Sequence, residues 1–128
     1  MFDKLEILQM ARGMVDQASA RHSVIAQNIA QADTPGYHAR DIASFADSYS
    51  RASGTSMRAT RPQHLSVSSG ASHEMKSFQT DDPVSPNGNS VSLETEMVKA
   101  SQVQIQHELA LSIFSTSLGI LRTSLGRR

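Results

Sequence analysis

Residues 92–125 read SLETEMVKASQVQIQHELALSIFSTSLGILRTSL, and the placement of their apolar side chains decides the fold. At about 100° per residue, successive positions of a helix spread around a wheel. Here the apolar ones gather on two stripes. Val98, Ile105, Leu109, Ile113 and Ile120 make one; Val103, Leu111, Phe114, Leu118, Leu121 and Leu125 make the other. The stripes lie roughly 150° apart. Ser101, Glu108, Ser112, Ser115 and Arg122 fill one lane between them, and Gln106, Ser117 and Ser124 fill the second. A helix in a simple two-helix hairpin needs one apolar face. A helix with two needs two partners. Ser92 suits an N-cap, Glu94 and Glu96 suit the first turns, and Gly126 followed by Arg127 and Arg128 suits the C-terminal end, in line with cap and dipole preferences.

The first partner stands at the other end of the chain. Leu8, Ala11, Val15, Ala18, His22, Ile25, Ile29 and Ala32 follow an unbroken 3-4 spacing, a heptad seam that predicts a helix over about residues 2–32. Ile7 and Met14 widen the stripe. Glu6, Gln9, Arg12, Asp16, Gln17, Ser23 and Gln27 form the opposite, polar face. Asp33-Thr34-Pro35-Gly36 stops the helix, because Pro35 lacks a donor and disfavours helical geometry at Thr34, and Pro-Gly suits a type II turn. Helices of about 31 and 34 residues span roughly 46 and 51 Å. The predicted fold is therefore mostly α: two long terminal helices paired as an antiparallel coiled-coil hairpin. The first helix covers one stripe of the second. The set through Leu111, Phe114, Leu118, Leu121 and Leu125 is the one expected to face it. The other stripe is left for another chain, since an exposed apolar strip of that length is an association site.

The chain divides into 1–33, 34–91 and 92–128. Its middle is dense in Ser, and between residues 43 and 90 the large aliphatic or Phe residues are Phe45, Leu65, Val67, Phe78 and Val84. So few cannot offset the ordering entropy of that many residues. The middle is expected to be poorly ordered or a short-stranded patch folded against something else. Leu65–Ser68 alternates like a strand, and Pro86-Asn87-Gly88-Asn89 marks a turn.

Composition narrows the function. Lys and Arg number 12, as do Asp and Glu, so the formal net charge is zero. That balance argues against nucleic-acid binding by bulk charge. The absence of Cys removes disulfides, thiolate metal sites and thiol nucleophiles. The N-terminal MFDKLEILQMARGMVDQ carries charge every few residues and lacks the apolar run of roughly 7–15 residues of a secretory signal. None of His22, His38, His64, His73 and His107 forms an H-x-x-x-H pair, so no metal is expected. His22 and His107, both on the helical seams, read as packing residues. Asp81-Asp82 reads as loop solvation, and Glu94 and Glu96 as dipole complements. No nucleophile elbow or phosphate loop is present. The expectation is no enzyme, no cofactor and no small-molecule substrate.

Asn28-Ile29-Ala30-Gln31-Ala32-Asp33-Thr34-Pro35-Gly36-Tyr37, followed by Ala39-Arg40-Asp41, resembles the N-terminal motif of the bacterial flagellar rod and hook family, usually N-I-A-N-A-x-T-P-G-Y. Asn87–Met97 resembles the block that opens the C-terminal helix of proximal rod proteins, and Thr60–Leu65 adds a shorter match. Gln31, His38 and Ser92 depart from the usual Asn, Lys and Asp. The resemblance implies a polymerising structural subunit of the proximal rod in the periplasm, part of the drive shaft and export channel of the basal body. It implies export by the flagellar type III apparatus without a cleaved signal. The implied partners are other copies, the ring-rod adaptor (FliE), the next rod protein (FlgC), the membrane ring and the export gate. The residues alone are also compatible with a helical-hairpin adaptor or chaperone that binds one partner helix. The two readings differ in valency, since a filament contact repeats without closing.

The interaction residues expected from the sequence fall in two groups. Asn28, Gln31, Thr34, Pro35, Gly36 and Tyr37 form a junction between helix and loop, with the Asn28 and Gln31 amides off the seam and free to bond a neighbouring backbone. Leu109, Ile113, Leu111, Phe114, Leu118 and Leu121 supply the apolar contacts of the second helix.

Overall fold

The computed structural model describes residues 2–54 and 75–126. The strand expected at Leu65–Ser68 and the Thr60–Leu65 motif lie outside the described residues. The described elements are α1 (Phe2–Ala30), β1 (Arg40–Ile42), α2 (Phe45–Gly54), β2 (Ser77–Gln79) and α3 (Leu93–Ser124).

α1 ends at Ala30, just short of the Pro35-Gly36 stop. The Gln31 amide still reaches back to Gln27 and Asn28, and the Tyr37 amide donates to the Thr34 carbonyl. That bond closes a turn with Pro35 and Gly36 at its centre, and Gly36 takes φ 73°, the conformation a type II turn requires. At the far end of the chain Gly126 also adopts φ 73°, just past the end of α3.

α1 and α3 pack on each other in opposite directions. Asn28 meets Glu96, Ala18, Ile25 and Val103 form one buried cluster with Ile29 and Ala100 packed against it, and Ala18 and His22 share a cleft with Val103 and His107. Ala11 and Ala110, both fully buried, continue the seam. Among the described residues the buried hydrophobic ones are Ala11, Ala18, Ile25, Ala39, Ile42, Val103 and Ala110. Most are alanine, which lets the backbones approach closely and leaves few large side chains in the core.

This close approach corrects the expected facing stripe. The side of α3 turned to α1 runs through Glu96, Ala100, Val103, His107, Ala110, Phe114, Ser117 and Leu121, all buried or half-buried. Leu111, Leu118 and Leu125 were expected on it but lie exposed. The seam passes through small residues, and a wheel that weighs only large apolar side chains overlooks them. Val98, Ile105, Leu109 and Ile120 of the other stripe are half or more exposed.

The described parts of the middle, residues 34–54 and 75–91, hold regular elements. α2, expected as loop, begins at Ser44, whose hydroxyl donates to Asp47 at 2.6 Å and accepts the Asp47 amide at 3.3 Å, a reciprocal N-terminal cap. Phe45 and Tyr49, one turn apart, hold their rings 5.6 Å between centroids. The Phe45 ring rests on Gly13 of α1 so closely that a Cβ there would meet it at 3.3 Å. β1 and β2 pair antiparallel with Asp41 opposite Phe78. Gln17, assigned to the polar face of α1, is buried and donates to the Ala43 carbonyl at 2.9 Å. Among the described residues, β1 and α2 both pack on α1.

Candidate functional site

The C-terminal end of α1 and the N-terminal end of α3 meet in a buried polar junction. Asn28, with no exposed surface, donates through Nδ2 to the Arg40 carbonyl at 2.7 Å and to Glu96 Oε2 at 2.9 Å. Its Oδ1 accepts from the Arg40 amide at 3.1 Å and from the Tyr37 hydroxyl at 3.2 Å. An asparagine side chain offers two donor hydrogens and two acceptor lone pairs, and Asn28 uses all of them. Glu96 is also buried, and its Oε1 accepts from Lys99 Nζ at 2.7 Å. Lys99 stands 4.0 Å from Asp82.

Beside this pair, the Arg21 guanidinium grips Asp41 with two parallel bonds of 2.7 and 2.8 Å, the fork geometry that makes arginine–carboxylate pairs strong. Burial pushes the Asp41 carboxyl up. The Arg21 hydrogen bonds, the Ile42 amide and the charges of Arg21 and Lys99 outweigh it and hold the carboxyl below its ordinary value. The hydrogen bond to Asp41 conversely raises Arg21, against the opposing effect of burial.

A third contact ties the two halves. The side-chain Nδ2 of buried Asn89 reaches the Gln31, Ala32 and Thr34 carbonyls at 2.9, 2.8 and 2.8 Å. Helix ends leave carbonyls outside the regular ladder; here Asn89, 58 positions from Gln31, adds to the local bonds that the Gln31 and Thr34 carbonyls accept from the Thr34 and Tyr37 amides. Ser90 accepts the Ala39 amide through Oγ and donates its own amide to the Tyr37 carbonyl. The Gly36 amide donates to Asn87, and Gly88, at φ 82°, sits so near that a Cβ on it would lie 3.3 Å from Gly36 Cα.

The two motifs read separately in the sequence are therefore the two halves of one hydrogen-bonded unit. Asn28, Gly36 and Tyr37 are brought together in it, and Gln31 and Thr34 join through their carbonyls. Gln31 and Pro35 are exposed, with Gln31 Oε1 accepting the Thr34 hydroxyl at 2.6 Å. Asn28 does bond a backbone, as expected, but that of Arg40 in its own chain, and it lies inside the α1–α3 contact rather than off it. Glu96 is a core residue, not only a dipole complement. Its signal was its place seven residues before Val103, in phase with the seam. Asn89, Ser90 and Asp41 stood inside the quoted motifs, and only the fold assigned them partners.

His22 and His107 line a cleft of about 240 Å³ with Ala18, Ser19, Val103 and Gln104. His107 is half-buried, but His22 is exposed, which corrects its reading as a packing residue. Small Ala18 and Ser19 leave the seam open there. Among the described residues no group of three or more His, Asp or Glu is placed to hold a metal ion. No described helix is long and apolar enough to cross a membrane.

Two long helices locked at one end by a buried polar junction, with an apolar stripe of the second left exposed, define a mostly helical protein built around its two terminal helices. No protein-family model matches the chain. It is 31% identical over 116 residues to the flagellar basal body rod protein FlgB of Agrobacterium fabrum, across 85% of this chain and 84% of that protein. It is 30% identical over 126 residues to FlgB of Escherichia coli K12, across 90% of each, and 28% identical over 130 residues to FlgB of Salmonella typhimurium, across 92% of each. The chain belongs to the FlgB family of flagellar basal body rod proteins. It is a structural rod component and not an enzyme.

Proposed function

We propose that the chain polymerises through its terminal helices as a subunit of the proximal rod, within the drive shaft and export channel of the basal body. In this reading α1 and α3 form an antiparallel coiled-coil hairpin, and the outward stripe of α3 is covered by neighbouring subunits. Those neighbours are other copies, FlgC-like rod proteins and a FliE-like adaptor, with the membrane ring and export gate at the base. The subunit reaches the periplasm by flagellar export without a cleaved signal. Leu109 and Ile113 on the outward stripe, Leu111 and Leu118 on the flank, and Gln31 and Pro35 at the turn touch other subunits. Asn28, Thr34, Gly36 and Tyr37 shape the junction that presents them, and Phe114 and Leu121 anchor α3 to α1.

One observation carries this reading. Val98, Ile105, Leu109 and Ile120 are 58, 66, 54 and 50% exposed along a single helix face, and water is a poor environment for a continuous apolar strip. The test is complementation of a deletion strain with Leu109→Asp. A carboxylate forced into an apolar contact carries a heavy desolvation cost, so the strain should build no rod beyond this subunit and should not swim. Normal swimming would contradict the proposal.

A further inference from the structure

We infer that the polar junction, and not the apolar seam, sets the register of α3 against α1. Asn28–Glu96 and Asn89 on the α1 carbonyls are two anchors, each sufficient alone. The inference rests on contacts within one chain and is independent of the rod reading.

The seam is close to blind to register. Its buried positions repeat every seven residues on both helices: Ala11, Ala18 and Ile25 on α1, and Glu96, Val103 and Ala110 on α3. Moving α3 by one heptad toward the C-terminal end of α1 would set Ile25 against Val103 and Ala18 against Ala110. Apolar would still meet apolar, and Glu96 would leave the contact for solvent. A heptad in the other direction would press Glu96 against Ala18, where no partner awaits its charge. One slipped state therefore competes with the native one, and an alanine-rich seam discriminates poorly between them.

The junction does discriminate. A slip of seven residues moves α3 by about 10 Å along the axis. The 2.9 Å bond from Asn28 to Glu96 does not survive that displacement. Neither does Asn89, which is held on Gln31, Ala32 and Thr34 only four residues before α3 begins. Single buried polar contacts are known to fix pairing register in helical assemblies whose apolar seam alone does not. Here the register also decides where the outward stripe of α3 sits along the molecule.

The absence of native Cys makes the test direct. Gln9→Cys and Gln102→Cys, both at exposed helix positions, take nitroxide labels on the full chain, and pulsed electron resonance reads their separation. The parent chain, Glu96→Leu and Asn89→Ala should each give one distance. Asn89→Ala with Glu96→Leu should add a second population displaced by one heptad, about 10 Å along the axis, to longer or shorter distance because an apolar side chain at 96 accepts a slip in either direction, and Asn89→Ala with Glu96→Gln should not, because the glutamine carbonyl still accepts from Asn28. An unchanged single distance in the Asn89→Ala/Glu96→Leu chain would overturn the inference, as these two contacts would then not be what sets the register. Loss of helix content in that chain by circular dichroism would also overturn it, since the seam would then not pair at all without the junction.

Discussion

Asn28 and Glu96, 68 residues apart in sequence, share a buried hydrogen bond of 2.9 Å that joins the end of one long helix to the start of the other. Replacing Glu96 by Ala removes the 2.7 Å partner of the Lys99 ammonium, leaving it the longer 4.0 Å contact to Asp82, and removes an acceptor from Asn28. Hydrogen bonds to charged groups contribute about 1.5–3 kcal/mol each, so Glu96→Ala should lower stability by about 2–4 kcal/mol. Glu96→Gln keeps the acceptor and should cost less. Denaturant midpoints of the two variants test the order, and equal midpoints would show that the carboxylate is not engaged.

The Arg21–Asp41 fork makes stability depend on acid. The folded Asp41 carboxyl lies below its ordinary value, and an unfolded aspartate titrates near about 3.9. The folded state therefore binds fewer protons at this site. Its contribution is complete above the unfolded value and fades as pH falls through the lowered folded one. Asp41→Asn should be less stable than the parent at neutral pH, with the gap narrowing below about pH 4. Urea midpoints across that range check this, and a gap that widens on acidification would reverse the sign.

Gly36 and Gly88 face each other across the junction, both in the left-handed region. A side chain costs about 1–2 kcal/mol there. At Gly36 a Cβ meets open space, whereas at Gly88 it would also lie 3.3 Å from Gly36 Cα. Gly88→Ala should thus lower the melting temperature more than Gly36→Ala. The opposite order would mean that the two turns do not pack as described.

The long helices were legible because heptad spacing over α1 and two-sided apolar spacing over α3 are local signals. The turn at Pro35-Gly36 was legible for the same reason. α2 was not, because Ser44 and Asp47 cap it through a local exchange that a count of apolar residues does not register, and because Phe45 finds its contact on Gly13 of another element. The junction was half legible. Its residues stood in the quoted motifs, but the partner of Asn28 is Glu96 and that of Asn89 is the end of α1. Contacts between positions so distant in sequence arise only once the helices have paired. The seam misled in one respect: Ala100 and Ala110 hold it together, and their small side chains carry little weight in an apolar pattern.

The claim at the centre of this account is that other subunits cover the outward face of α3. Reactivity of Ile105→Cys toward a maleimide, compared between the purified chain and isolated basal bodies, measures that cover most directly. Position 105 is 66% exposed in the single chain, and the variant supplies the only thiol. The account predicts rapid labelling of the purified chain and strong protection in the basal body. Equal labelling in both would contradict it.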